Sequence, residues 1–154
     1  MSHRLLYTLG RFAALLLLVC AAGAGAADAP QEIDVPQWFR PSFLDFRDDA
    51  REAAAAKRHL MVYFGQNGCP YCKQLMTVTF RDPAVVARMK QEIDAVEVNI
   101  VGSREAVWTD GAHASEKALA VKLGVRFTPT LLFVDGGGRV VLRLNGYYEP
   151  QRFL

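Results

Sequence analysis

The chain is poor in the residues that most small exported proteins use for cross-linking or metal binding. It has three cysteines and three histidines in 154 residues, and a formal net charge of only +2. One of the cysteines, Cys20, lies in an N-terminal stretch with the pattern of a secretory signal peptide. Arg4 and Arg11 make that stretch positive, Phe12 to Cys20 is its apolar core, and Ala21 to Ala27 is nearly all Ala and Gly. The apolar run is short for a membrane span, which takes about 20 residues. Val19 stands before Cys20 where a lipoprotein signal wants a small residue, which argues against a lipid anchor. No Arg-Arg pair points to twin-arginine export.

Residues 1–27 are therefore expected to be removed, which makes the protein periplasmic. Arg4 and Arg11 take the whole net charge with them. A neutral remainder offers no electrostatic case for nucleic acid. Only Cys69 and Cys72 are left, too few for a structural disulfide framework. Zinc needs four ligands, and His59 and His113 are far apart with no second Cys-x-x-Cys. Haem attachment usually needs histidine after the second cysteine, and Lys73 stands there. Neither a metal nor a cofactor is expected.

What is present is Gly68-Cys69-Pro70-Tyr71-Cys72-Lys73, directly after the apolar run Leu60 to Phe64. That run has no polar alternation and reads as a strand buried on both faces. Pro70 suits the first turn of a helix, where its missing N–H costs nothing. A thiol pair at such a junction is a redox arrangement.

Residues 28–42 read as an irregular lead-in that Trp38 and Phe39 pin to the body, and residues 43–154 as one domain. Ser42, with Asp45 three residues on, is read as the cap of a helix over 43–57, with Phe43, Phe46, Ala50 and Ala53 on its apolar face. Asp82-Pro83 starts another helix. Ala95 to Ile100 alternates as a strand. Residues 101–114 read as a long loop anchored by Trp108. Ser115 caps a helix that Gly124 ends. Thr130 to Val134 and Arg139 to Leu144 flank the turn Asp135–Gly138 as a hairpin. Crossover helices imply parallel strands first, and the hairpin adds an antiparallel one. The fold class is α/β, a central mixed sheet flanked by helices.

Together, Phe64 through Cys72, the Asp82-Pro83 start, the Val96–Ile100 strand and Phe127-Thr128-Pro129-Thr130 resemble the thioredoxin superfamily. Thr79-Phe80-Arg81-Asp82-Pro83 narrows the resemblance to its bacterial periplasmic branch. That branch includes the C-terminal domain of the transmembrane disulfide-reducing electron transporter and thioredoxins associated with sulfur oxidation. The resemblance implies a thioredoxin fold and a monomeric thiol-disulfide oxidoreductase acting on disulfide-bearing periplasmic proteins, with a membrane thiol donor. Cys69 would be the nucleophile and Cys72 the resolving cysteine, forming a redox-active disulfide. Pro70 and Tyr71 would tune the pair, Pro129 would be a cis-proline facing it, and Thr128 would bind an extended substrate strand. The fold normally closes with a C-terminal helix, of which only a start at Glu149-Pro150 is present, so the natural chain is expected to continue past Leu154.

Two departures from the family stand out. Tyr63 occupies the place of the buried aspartate that serves as proton acceptor in thioredoxins. Glu97, where a lysine is usual, is a candidate to take over that role, against a plain solvent-facing reading. Cys-Pro-Tyr-Cys is itself the pairing typical of glutaredoxins, which raises glutathione as a reductant. An oxidase or isomerase, and a non-enzymatic metal or protein chaperone, remain open alternatives.

Overall fold

The computed structural model describes residues 34–154. The signal-peptide segment and the start of the lead-in lie outside the described residues. Twelve elements follow in order: α1 (Phe46–Ala55), β1 (His59–Gly65), α2 (Pro70–Thr77), a 3-10 turn (Thr79–Arg81), α3 (Pro83–Glu92), β2 (Ile93–Asn99), β3 (Glu105–Val107), β4 (His113–Ser115), α4 (Glu116–Lys122), β5 (Thr130–Val134), β6 (Val140–Asn145) and α5 (Pro150–Phe153).

Four strands form the main sheet in the order β2-β1-β5-β6. The two central strands alternate between two cores, as side chains on a pleated strand must. Leu60, Val62 and Phe64 of β1 and Leu132 and Val134 of β5 pack with Phe46, Ala50, Leu119 and Trp108. Met61 and Tyr63 of β1 and Leu131 of β5 face the other way, with Cys72, Leu75, Phe80, Val85 and Met89. Every residue of β1 beyond His59 is buried, which is why the run has no polar alternation.

Among the four strands of the main sheet only β1 and β2 pair in parallel; β5 runs antiparallel to β1, and β6 antiparallel to β5. A polar cluster sits at the C-terminal end of β2. Glu116, in the first turn of α4, accepts the Asn99 N–H at 2.9 Å and the Arg104 N–H at 3.2 Å. Arg104 Nη2 adds a 2.7 Å ion pair. Burial pushes the Glu116 carboxyl pKa up, but Arg104 and the backbone donors outweigh it and hold it below its ordinary value. The start of α4 is thus tied to the same end of the sheet at which β5 begins, where Thr130 pairs with Phe64.

The caps follow from local chemistry. Asp82 accepts the N–H groups of Ala84 and Val85, with Pro83 at the first helical position. Ser115 accepts from Ala118, and Gly124 takes the left-handed φ of +65° that follows the helix. The first helix differs from the sequence expectation. Its cap is Asp45, which accepts from Arg47 and Asp48, and it begins at Phe46. Leu44 has φ 63°, so the chain turns sharply before the helix. Leu44 is buried by that turn and Phe43 is thrown outward, 102 % exposed. Ser42 serves the turn instead, accepting the Leu44 N–H at 2.8 Å and donating to Asp49 at 2.6 Å.

Residues 101–114 are not a plain loop. β3 and β4 pair as a short antiparallel hairpin, turning at Gly111 with φ +82°. Trp108 anchors it, 5 % exposed, with its ring centroid 5.3 Å from that of Phe46. The lead-in is held by its aromatics: the Trp38 indole donates to the Phe80 carbonyl at 3.3 Å, and Phe39 bridges to Ala95 on the open edge of β2. On the opposite edge, β6 leaves Val140, Val141 and Leu142 exposed.

Candidate active site

Cys69 is the N-cap of α2, in an extended backbone conformation (φ −85°, ψ 111°). Gly68 before it takes φ +76°, which lets the chain turn from β1 into the cap. Capping places the Cys69 sulfur over the free N–H groups of the first helical turn, and the Cys72 N–H donates to Cys69 Sγ at 3.1 Å. A thiolate at such a position is stabilised by the N–H groups and by the helix dipole. Cys72 lies one turn further in, with the two Cα atoms 5.2 Å apart, and a disulfide joins the pair. Cys69 is 8 % exposed and Cys72 is fully buried, so a partner reaches only the first sulfur.

The loop before β5 comes back across the sheet to meet this turn. The Thr128 hydroxyl donates to Cys69 Sγ at 3.2 Å, and the Thr128 carbonyl oxygen lies 3.5 Å from the same atom. The Thr128–Pro129 peptide bond is cis, and Pro129 is buried. Two hydrogen bonds hold the loop: Thr130 Oγ1 donates to the Phe127 carbonyl at 2.8 Å, and the Gly146 N–H donates to the Pro129 carbonyl at 2.7 Å. Pro70 and Tyr71 lie on the exposed first turn of α2. Tyr71 is 61 % exposed, as is Phe127 at 68 %.

Of the residues singled out from sequence, Cys69, Pro70, Tyr71, Cys72, Thr128 and Pro129 thus converge on one rim. Glu97 stands apart from it on β2. It is half-buried, directly opposite Tyr63 in the parallel ladder, and lines a groove of about 350 Å³ with Phe39, Arg40, Leu44 and Arg104. Tyr63 fills the space beneath the site as a fully buried side chain whose hydroxyl has no hydrogen-bond partner among the described residues. Burial raises its pKa above the ordinary tyrosine value, and the Glu97 charge raises it further. Sequence reasoning passed over Phe127 and the orphaned Tyr63 hydroxyl. The signal for the second was present: a polar atom inside an otherwise apolar strand needs a partner. Among the described residues no group of three or more His, Cys, Asp or Glu side chains is placed to hold a metal ion. No helix among them is long and apolar enough to cross a membrane.

The family model of the thioredoxin-like domain matches residues 46–154. The chain belongs to the thioredoxin-like domain family. It is 31 % identical to a thioredoxin from Thermus thermophilus, whose solution structure superposes with a TM-score of 0.51 over 66 % of this chain and 75 % of that one. It is 29 % identical over 96 residues to the thiol:disulfide interchange protein DsbD of Photorhabdus laumondii, covering 61 % of this chain and 15 % of that much longer protein. The C-terminal domain of DsbD from Neisseria meningitidis, in its oxidised form, has the same fold, with a TM-score of 0.50 at 19 % identity over 70 % of this chain and 84 % of that domain. Family, fold and the Cys69–Cys72 disulfide are those of a thiol-disulfide oxidoreductase.

Proposed function

We propose that this protein is an exported reductase of protein disulfides. In the reduced enzyme the Cys69 thiolate attacks one sulfur of a substrate disulfide and forms a mixed disulfide. Cys72 then attacks Cys69 Sγ, the substrate sulfur leaves, and the enzyme disulfide forms. The observation that carries this reading is the position of Cys69. It caps α2, keeps a sliver of exposure, and has the Thr128 hydroxyl and the Cys72 N–H aimed at its sulfur. Thr128 offers backbone for an extended substrate segment beside Tyr71 and Phe127.

The reducing direction rests on likeness to thioredoxin and to DsbD. Export to the periplasm rests on the pattern of residues 1–27, and an exported reductase needs electrons from a membrane thiol donor. Equilibration with glutathione is the test of direction. A potential near the thioredoxin value of about −270 mV supports the reductase, and one near −120 mV, the value of a strong oxidant, overturns it.

Glu97 is the proposed proton acceptor for the dithiol. It shares a sheet face with Tyr63 and Cys72, and no aspartate stands on β1 to do the work. Glu97→Gln is expected to slow reduction by about a hundredfold near neutral pH and to erase the inflection that an acceptor imposes on the pH profile. An unchanged profile removes Glu97 from the mechanism.

A further inference from the structure

A buried hydroxyl without a partner is costly and calls for an explanation. Tyr63 is such a group: fully buried, with its hydroxyl unpartnered among the described residues. Its direction is informative. A Cβ placed on Gly65 would overlap the Tyr63 hydroxyl and the ring carbons next to it, so the side chain leans along β1 over Gly65. Gly65 is the last residue of the strand, and three residues separate it from Cys69. The hydroxyl is therefore carried to the end of β1 from which the dithiol turn departs. It lies on the face that also holds Cys72.

We propose that the Tyr63 hydroxyl is a positioning group for the reduced dithiol, donating a hydrogen bond to the Cys72 sulfur once the disulfide opens. A disulfide sulfur is a weak acceptor, and a thiolate is a strong one. The donor left idle in the oxidised enzyme gains its strong acceptor when Cys72 of the reduced enzyme loses its proton. This rests on the dithiol-exchange reading above. In the resolving step Cys72 gives up its proton to the acceptor assigned to Glu97. The Cys72–Cys69 bond forms, the Cys69–substrate bond breaks, and the substrate sulfur leaves as a thiolate. Tyr63 keeps its own proton throughout, consistent with a pKa raised by burial and by Glu97.

The titratable groups sharing its surroundings are Cys69, the cap of α2, Cys72 on α2, Glu97 on β2 and Tyr147, which packs against the same cluster. The lead-in, the 3-10 turn, α3 and β5 contribute Phe39, Phe80, Val85 and Leu131, none of which titrates. Phe39 meets the Tyr63 ring edge-on at 6.1 Å. None of these groups hydrogen-bonds the hydroxyl in the oxidised form.

The test uses reduced wild-type protein and Tyr63→Phe. The 13Cβ chemical shifts of Cys69 and Cys72, which report thiol ionisation without needing access to the sulfur, are followed against pH by NMR. Tyr63→Phe is expected to raise the titration midpoint of Cys72 by about one pH unit, a tenfold loss of thiolate at a given pH. The midpoint of Cys69 should move much less. Thermal unfolding of both redox forms adds a second reading: the substitution should destabilise the reduced protein relative to the oxidised one. A Cys72 midpoint equal to that of wild type overturns the proposal, as does an equal change in the stability of the two redox forms. A Tyr63→Phe protein that cannot fold overturns it too, because a hydroxyl that serves only the open dithiol is not needed by the oxidised fold. This titration requires no turnover. A wild type inactive towards insulin but with the Cys72 shift in Tyr63→Phe sinks the reductase reading and leaves this one standing; the reverse pattern does the opposite.

Discussion

Cys69→Ser is expected to abolish insulin reduction, with a loss of about a thousandfold or more. Cys72→Ser should instead stall with substrate attached. The difference follows from position. Cys69 is the N-cap sulfur that receives both the Cys72 N–H and the Thr128 hydroxyl, and it is the only sulfur of the pair with any exposure. A serine there retains the cap, because its oxygen accepts the same N–H, but it forms no nucleophile at neutral pH. Cys72 is fully buried and cannot meet a protein substrate directly. Its loss leaves the first exchange intact and removes the second. A covalent adduct of Cys72→Ser with its substrate should therefore accumulate on non-reducing gels and vanish with dithiothreitol. Steady turnover by Cys72→Ser with glutathione present would mean that the second thiol is dispensable. The Cys-Pro-Tyr-Cys pair would then work in the glutaredoxin manner. Reduction of insulin by Cys69→Ser at the wild-type rate would take the chemistry away from this turn.

The largest expected effect on stability is at Trp108. Trp108→Ala should destabilise the domain by about 3–5 kcal/mol, the range for emptying a large aromatic site in a core. The indole packs on Phe46 in the core face away from the dithiol. Its backbone N–H donates to the Ala112 carbonyl and its carbonyl accepts from Gly111, so the same residue closes the β3–β4 turn. Denaturant unfolding of the oxidised protein measures the loss, and the slope of the transition separates a local opening of the hairpin from a global change. Because Trp108 and the cysteines lie in different cores, the glutathione equilibrium of the folded fraction should stay within about twofold of wild type. A loss below about 1 kcal/mol would mean that the hairpin is held without its anchor.

Much of this architecture can be read within short windows of the chain. A cap and its helix are five or six residues apart, and the chemistry of Asp82-Pro83, Ser115 and Gly124 settles them locally. The same holds for the dithiol turn, where Cys69 caps the helix that carries Cys72. A strand buried on both faces has to be apolar throughout, so Leu60 to Phe64 declared the centre of the sheet. Trp108 was legible as an anchor because so large an apolar side chain in a polar segment has few other places to go.

The first helix was misread at its start because periodicity cannot register a single left-handed residue. Leu44 at φ 63° moves the cap to Asp45 and exchanges the places of Phe43 and Leu44 between solvent and core. Glu116 ties the start of α4 to the end of β2 through Asn99 and Arg104, which stand 17 and 12 residues before it. Thr128 reaches Cys69 across 59 residues of sequence. By itself, the sequence determined the dithiol, its helix-capping geometry, the buried central strand and the family. The tertiary structure alone decided which hydroxyl meets the Cys69 sulfur, which carboxylate lies beside Tyr63, and that the Tyr63 hydroxyl is left without a partner among the described residues. Local hydrogen bonds and hydrophobic period are written in neighbouring residues. Which distant groups share one small volume is set only when the two cores close on the sheet.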